Sequence, residues 1–303
     1  MGTDKDKNEM TPSYLAKAAC IVKTLRLFSL VLCCLSILSC FYTTTSVASE
    51  VVKFEATKSY KSKKIALRGE LFKPKGSGPF PAVVLMHGCG GLQSAVRMAL
   101  SSYAELLVEN GFAVLNLDSF GPRRNSGGQV CASFNKLREA REYRTADAFD
   151  AMQYLKAQNF VDSENIFLMG QSNGGSVAIN AANSNNKNTK FRAVVAFYPW
   201  CGAFGSRNVD LGSPLMVLGG AKDDWVPPQF CSEVVSNGEK LEVTIYPNAP
   251  HSFDVNVLQQ RYLGKLIGYD RHAAVDSRLR MLAFFNENMS ASVKNNKMRL
   301  AQN

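Results

Sequence analysis

NIFLMGQSNGGSVAI, residues 165–179, is the stretch on which the fold turns. NIFLMG (165–170) is an apolar run of strand length, and SVAINAAN (176–183) has helical spacing, with only five residues between them. Gly170-Gln171-Ser172-Asn173-Gly174 fills that join as G-x-S-x-G. A strand that turns at once into a helix exposes the central hydroxyl, and the flanking glycines leave room for a crowded backbone. The free N–H groups of the helix point at the same spot. Five letters with three fixed recur by chance, so the strand and helix on either side carry the weight. The reading without chemistry is a Gly-rich turn that binds nothing.

Outward from this join the chain keeps one rhythm. Upstream, VVKFEA (51–56) and IALRGELF (65–72) read as a hairpin closed by PKGSGPFP (74–81). AVVLMH (82–87), a helix ending at Gly111, FAVLNLD (112–118) and a helix over 141–158 follow. Downstream come strands at 192–198, 214–220 and 241–247 and a last helix over about 272–289. Short apolar runs alternating with helices predict an α/β fold, a mostly parallel central sheet with helices on both faces. No repeat or low-complexity linker interrupts it, so residues 49–303 read as one domain. The loop 119–136 is long enough to wall an active site.

A serine hydroxyl is a poor nucleophile without a base and a group that orients the base. In this architecture the order is Ser, then Asp or Glu, then His, on loops at the carboxyl ends of later strands. PLMVLGG ends in AKDDWVPP and LEVTIYP ends in NAPHSFDV, which offers Asp223 and His251. Asp223 is preferred over its neighbour Asp224, and Asp254 is a poorer candidate because it shares the histidine's loop. His272 sits in a helical string and reads as a surface or interhelix residue. The developing oxyanion needs donors. Asn173 N–H is one, and the loop His87-Gly88-Cys89-Gly90-Gly91 offers the other, from Cys89 or else Gly90. His87, before the bend, reads as a prop for that loop. Arg144 and Asp147, one helical turn apart, read as structural, pairing with each other or anchoring the helix to the loops.

The 303 residues carry 35 Lys+Arg against 25 Asp+Glu, a formal +10. Residues 1–26 are polar and basic, Leu27–Tyr42 is an uncharged run of 16, and TTTSVAS follows. That is the layout of a secretory signal peptide over 1–48 with cleavage after Ala48. The run is short for a bilayer span of about 20 residues. An uncleaved anchor over 27–42 is the alternative, and a lipoprotein at Cys40 is weaker for want of a preceding Gly or Ala. The expected place is therefore periplasmic or secreted, or membrane-anchored by that segment. The 30 basic and 22 acidic residues that remain are scattered, without the aromatic-basic motif of a nucleic-acid reader. Three histidines and no C-x-x-C argue against a zinc site, and no metal or cofactor is expected. Four cysteines remain in an exported domain. Their places on loops after successive strands predict Cys201–Cys231 and Cys89–Cys131 bridges, with four buried thiols as the alternative.

HGCGGL (87–92), DSFGPR (118–123), Arg144-x-x-Asp147-Ala148, GQSNGG (170–175), GGAKDDWVPP (219–228) and YPNAPHSFD (246–254) occur in that order. Together they resemble the dienelactone hydrolase family of α/β-hydrolases over about residues 55–289. The resemblance implies Ser172 as nucleophile, Asp223 as acid, His251 as base, and hydrolysis of a small ester or lactone through an acyl-enzyme. Founding members carry cysteine at the nucleophile position and a glutamate-containing loop where this chain has HGCGG, so the match is to serine-bearing, exported members. Arg123 and Trp225 are candidate substrate contacts, Arg123 as a holder of a carboxylate or as a pin for its loop. Two other readings stay open, a peptidase or amidase with the same three residues and a noncatalytic envelope protein retaining the fold.

Overall fold

The computed structural model describes residues 48–125, 128–184 and 189–291; apart from Ala48, the expected leader lies outside the described residues. The chain runs β1 (Ser49–Glu55), β2 (Ala66–Phe72), β3 (Phe80–Met86), α1 (Ser94–Glu109), β4 (Ala113–Asp118), α2 (Phe134–Lys156), β5 (Val161–Gln171), α3 (Asn173–Ala182), β6 (Val194–Phe197), β7 (Asn208–Val209), β8 (Leu215–Gly220), α4 (Gln229–Ser232), β9 (Val235–Ser236), β10 (Leu241–Tyr246), β11 (Gln260–Tyr262), β12 (Lys265–Ile267) and α5 (Arg271–Glu287). Eight strands form one sheet in the order β1-β2-β4-β3-β5-β6-β8-β10. β2 alone runs against the others, since it is antiparallel to both β1 and β4 and every later pairing is parallel.

The central strands FPAVVLM, VVAF and LMVLGG are buried almost throughout because helices cover both faces. Their period of two divides the core. Val84, Met86, Leu168 and Val217 pack with α2 and α3 through Met152, Leu155, Val177 and Ile179. Val83, Leu85, Met169 and Leu218 pack with α1 and α5 through Leu100, Leu107, Phe284 and Phe285. The edge strands β1 and β10 alternate or stay half-buried and carry Lys53, Glu55 and Glu242, as sheet edges do when they avoid further pairing.

Element types agree with the sequence reading, while several boundaries move. α2 starts at Phe134 rather than 141, with the Ser133 side chain accepting from the Lys136 N–H. Its buried face holds Arg144, Asp147 and Asp150 among apolar residues, and that mixture hides the helical period at its start. The two-stranded arms β7–β9 and β11–β12 were not expected. Each strand in them is two or three residues long, too short for a periodic signal.

Candidate active site

Ser172 follows β5 directly and occupies the N-cap of α3 with φ 54° and ψ −116°. That conformation is strained for a residue with a Cβ, at a cost of about 1–3 kcal/mol. Its N–H donates to the Phe197 carbonyl at 2.9 Å, and its carbonyl accepts from the Ser176 N–H at 2.9 Å. The crowding demands glycine. A Cβ on Gly170 would stand 2.0 Å from the Gly174 carbonyl oxygen, and one on Gly174 would stand 2.3 Å from that of Met86.

The loops after β8 and β10 bring the other two residues to it. His251 Nε2 lies 2.9 Å from Ser172 Oγ, and His251 Nδ1 lies 2.6 Å from Asp223 Oδ2. The other carboxylate oxygen, Oδ1, accepts from the N–H groups of Trp225 and Val226, each at 2.9 Å, which fixes the plane of the group. Asp223 and His251 are both buried. Asp224 turns the opposite way: its carboxylate accepts from the Leu266 N–H at 2.7 Å and from Arg261 Nη1 at 3.0 Å. The Leu266 bond first, with Arg261 in support, holds its pKa below the usual range. Adjacent acids thus divide the work. Asp224 seats the β11–β12 arm, and that arm receives the His251 N–H on the Leu266 carbonyl at 3.3 Å.

On the opposite flank lies the loop after β3. Cys89 is bridged to Cys131 with a Cα separation of 5.1 Å, and Cys201 to Cys231 with 5.2 Å, so both expected pairings are present. Gly91 N–H closes a turn onto the Gly88 carbonyl at 3.2 Å. Among the described residues, neither Cys89 N–H nor Asn173 N–H has an acceptor. His87 is fully buried, and its Nδ1 donates to the Gly88 carbonyl at 2.7 Å, a prop as expected. Burial first, and the Arg144 charge second, push its pKa well below 6.5, so the ring stays neutral.

Two pairs of alternatives are resolved here. Arg123 does not line the cleft at Ser172. Its buried Nη1 and Nη2 each meet an Asp147 carboxylate oxygen at 2.8 Å, so the guanidinium pins the loop to α2. Asp147 is therefore taken, and Arg144 pairs instead with Asn173 Oδ1 at 2.7 Å and the His87 carbonyl at 2.6 Å. Sequence spacing put Arg144 and Asp147 within reach of each other; the tertiary partners on each side of the helix won.

The cleft itself, about 320 Å³, opens above Ser172 and Asn173 between the Cys89–Cys131 bridge, Phe134, Leu137, Trp200, Trp225 and Val226. Trp225 stands in the wall, its ring 5.2 Å from that of His251. Arg138 and Arg141 are the charged residues of the lining, and no acid accompanies them. Arg141 lies over the Trp200 ring at 4.8 Å, and neither arginine makes an ion pair among the described residues. The sequence reading missed both, because charged positions on a helix do not reveal which face looks into a cleft. A larger hollow of about 660 Å³, walled by Lys61, Lys63, Lys64, Arg124 and Lys136, contains none of Ser172, Asp223 and His251. Among the described residues no cluster of His, Cys, Asp and Glu could hold a metal ion.

A sheet with one reversed strand, a strained serine at a strand-to-helix turn, and Asp and His on later strand ends define an α/β-hydrolase. Residues 67–289 match the dienelactone hydrolase family, and the chain belongs to that family. The dienelactone hydrolase-like promiscuous phosphotriesterase P91 from metagenomic libraries superposes with a TM-score of 0.58 at 22% identity, over 80% of this chain and all of that one. Among sequence relatives, thiohydrolase aneE of Aspergillus aculeatus is 33% identical over 118 residues, 39% of this chain and 34% of its own. The quorum-quenching protein AidA of Acinetobacter baumannii is 30% identical over 139 residues, 45% of this chain and 41% of its own. The match thus spans well under half the length of these curated relatives.

Proposed function

We propose that the protein is a serine hydrolase that cleaves a small carboxylic ester or lactone through an acyl-enzyme. The observation that carries this reading is the unbroken line of contacts from Ser172 Oγ through His251 to Asp223, at 2.9 and 2.6 Å. Ser172 Oγ attacks the substrate carbonyl while His251 Nε2 takes its proton, and Asp223 stabilises the imidazolium that forms. The carbonyl oxygen becomes an oxyanion between the N–H groups of Cys89 and Asn173, both free to donate. Collapse expels the alkoxide with the proton from His251. Water, deprotonated by the same ring, then releases the acid and restores Ser172.

The unpaired Arg138 and Arg141 favour an anionic group on the substrate beyond the scissile bond. The same acyl-enzyme route serves thioesters, the bond class in the name of the relative aneE. Residues 1–48 act as a signal peptide cleaved after Ala48, which puts the domain in the periplasm or outside the cell. Two disulfides near the cleft support that compartment.

Intact-mass analysis after fluorophosphonate treatment tests the chemistry. One adduct in the wild type and none in Ser172→Ala is expected; an unlabelled folded wild type, or a labelled Ser172→Ala, refutes it. With p-nitrophenyl butyrate and p-nitrophenyl hemisuccinate as a matched pair, kcat/KM should favour the charged ester on the order of tenfold, about one charge-assisted hydrogen bond. That preference should vanish in Arg141→Gln. N-terminal sequencing of protein from fractionated cells should start at Ser49.

A further inference from the structure

We propose that Arg144 is a positioning residue that sets the distance between the two N–H donors of the oxyanion site; the inference rests on the serine hydrolase reading above. The side chain is entirely buried on the inner face of α2, and among the described residues no carboxylate lies within ion-pair distance of it. Asp147, its neighbour one turn on, is engaged through both oxygens by Arg123. A buried cation without an acid in contact is costly, and burial lowers its pKa to about 10. The cation is held by neutral acceptors and by the Phe120 ring, 4.8 Å below it.

Those acceptors identify the role. Nη1 donates to Asn173 Oδ1 at 2.7 Å, and Asn173 carries the first oxyanion donor on its own backbone. Nη2 donates to the His87 carbonyl at 2.6 Å, two residues before Cys89, which carries the second. Arg144 therefore holds both halves of the site with the two prongs of one rigid, planar fork. The amide of Asn173 is anchored at its other end as well, with Nδ2 donating to the Leu137 carbonyl at 3.0 Å. Gly174 lets the two segments touch, for a Cβ there would stand 2.6 Å from the His87 carbonyl oxygen. Arg144 fixes their register once they do. A lysine ends in a single ammonium and cannot bridge the two acceptors in the same plane.

The effect should appear where negative charge is bound and not where substrate is. In Arg144→Gln, kcat on p-nitrophenyl butyrate should fall about 10²-fold, the loss typical of one misplaced oxyanion donor, with KM within threefold. The inhibition constant of phenylboronic acid, which adds to a serine as a tetrahedral anion, should rise by a similar factor. Arg144→Lys should recover only part of both. Melting curves control for folding, and if Arg144→Gln does not fold, Arg144→Lys carries the same comparison. Equal losses in kcat, KM and boronate affinity, or wild-type kcat in a folded variant, would overturn the proposal. Wild-type labelling of Ser172 by fluorophosphonate separates these outcomes from a failure of the hydrolase reading, which would remove both.

Discussion

Ser172 stands between two buried charges of opposite sign, and the two flanks are built differently. On the oxyanion flank Arg144 grips Asn173 and the His87 carbonyl, and its Nε has no partner among the described residues. A disulfide, Cys89–Cys131, helps to hold that loop. On the base flank Asp254 accepts from Tyr198 Oη at 2.6 Å, Gln171 Nε2 at 2.7 Å and Tyr103 Oη at 2.8 Å. Burial first, then the charge of Asp254, raises both tyrosine pKa values well above the usual one, so both hydroxyls remain donors. Gln171 precedes the serine, and the ring of Tyr198 meets His251 edge-on at 4.8 Å. One anion thus ties the serine turn to the support of the base, and the Cys201–Cys231 bridge joins the segment after Tyr198 to the loop that carries Asp223. A carboxylate takes several donors from several directions, whereas a guanidinium can only donate in a plane, so the two flanks gather their partners differently.

The largest effect should come from the base flank. Asp223→Asn offers an amide N–H to His251 and favours the wrong tautomer, and kcat should drop about 10⁴-fold in a variant that still folds. Activity within tenfold of wild type in steady-state assays would show that Asp223 does not orient His251. Next, Asp254→Ala leaves three buried donors without an acceptor. Urea denaturation should report a loss of about 3–5 kcal/mol, and a loss under about 1 kcal/mol would mean that the anion is not what holds this flank. The Cys89–Cys131 bridge should count for less. Replacing Cys89 and Cys131 together by Ala opens a loop of 42 residues and should cost about 2–4 kcal/mol. It should also lower kcat, whereas loss of Cys201–Cys231 should change stability alone; a kcat untouched by the first pair would remove the disulfide from the oxyanion flank.

The smallest effect is a pH dependence from His87. Its native pKa lies well below 6.5, so as pH falls through 6.5 the unfolded chain takes up a proton that the native state refuses. Stability present above pH 6.5 is therefore lost on acidification, by at most about 1.4 kcal/mol per pH unit until the native ring titrates. Chemical denaturation at pH 7 and 5.5 should show a drop about 1 kcal/mol larger in the wild type than in His87→Asn. Equal drops would mean that the ring is not held neutral.

Much of this was legible in the residues. Ser172, Asp223 and His251 each follow an apolar run of strand length, and an open parallel sheet brings its strand ends to one edge. The cysteine pairs were legible for the same reason, as loops after neighbouring strands lie side by side. The β11–β12 arm that seats His251 was not, for its turn puts Leu263 at φ 49° beside Gly264 at φ 77°, and leucine gives no sign of a left-handed position. Asp254 looked redundant because it shares a loop with His251, yet Tyr103 and Tyr198 reach it across 151 and 56 residues.

By itself, then, the order of apolar runs and the G-x-S-x-G turn determine the α/β sheet and which residues stand at the carboxyl ends of its strands, because periodicity and backbone crowding are local properties of the chain. Only the tertiary structure decided the partners of the buried charges: Arg123 with Asp147, Arg144 with Asn173 and His87, Asp254 with two tyrosines. A buried charge takes the donors or acceptors that packing brings to it from distant parts of the chain, and no spacing along the sequence records which those are.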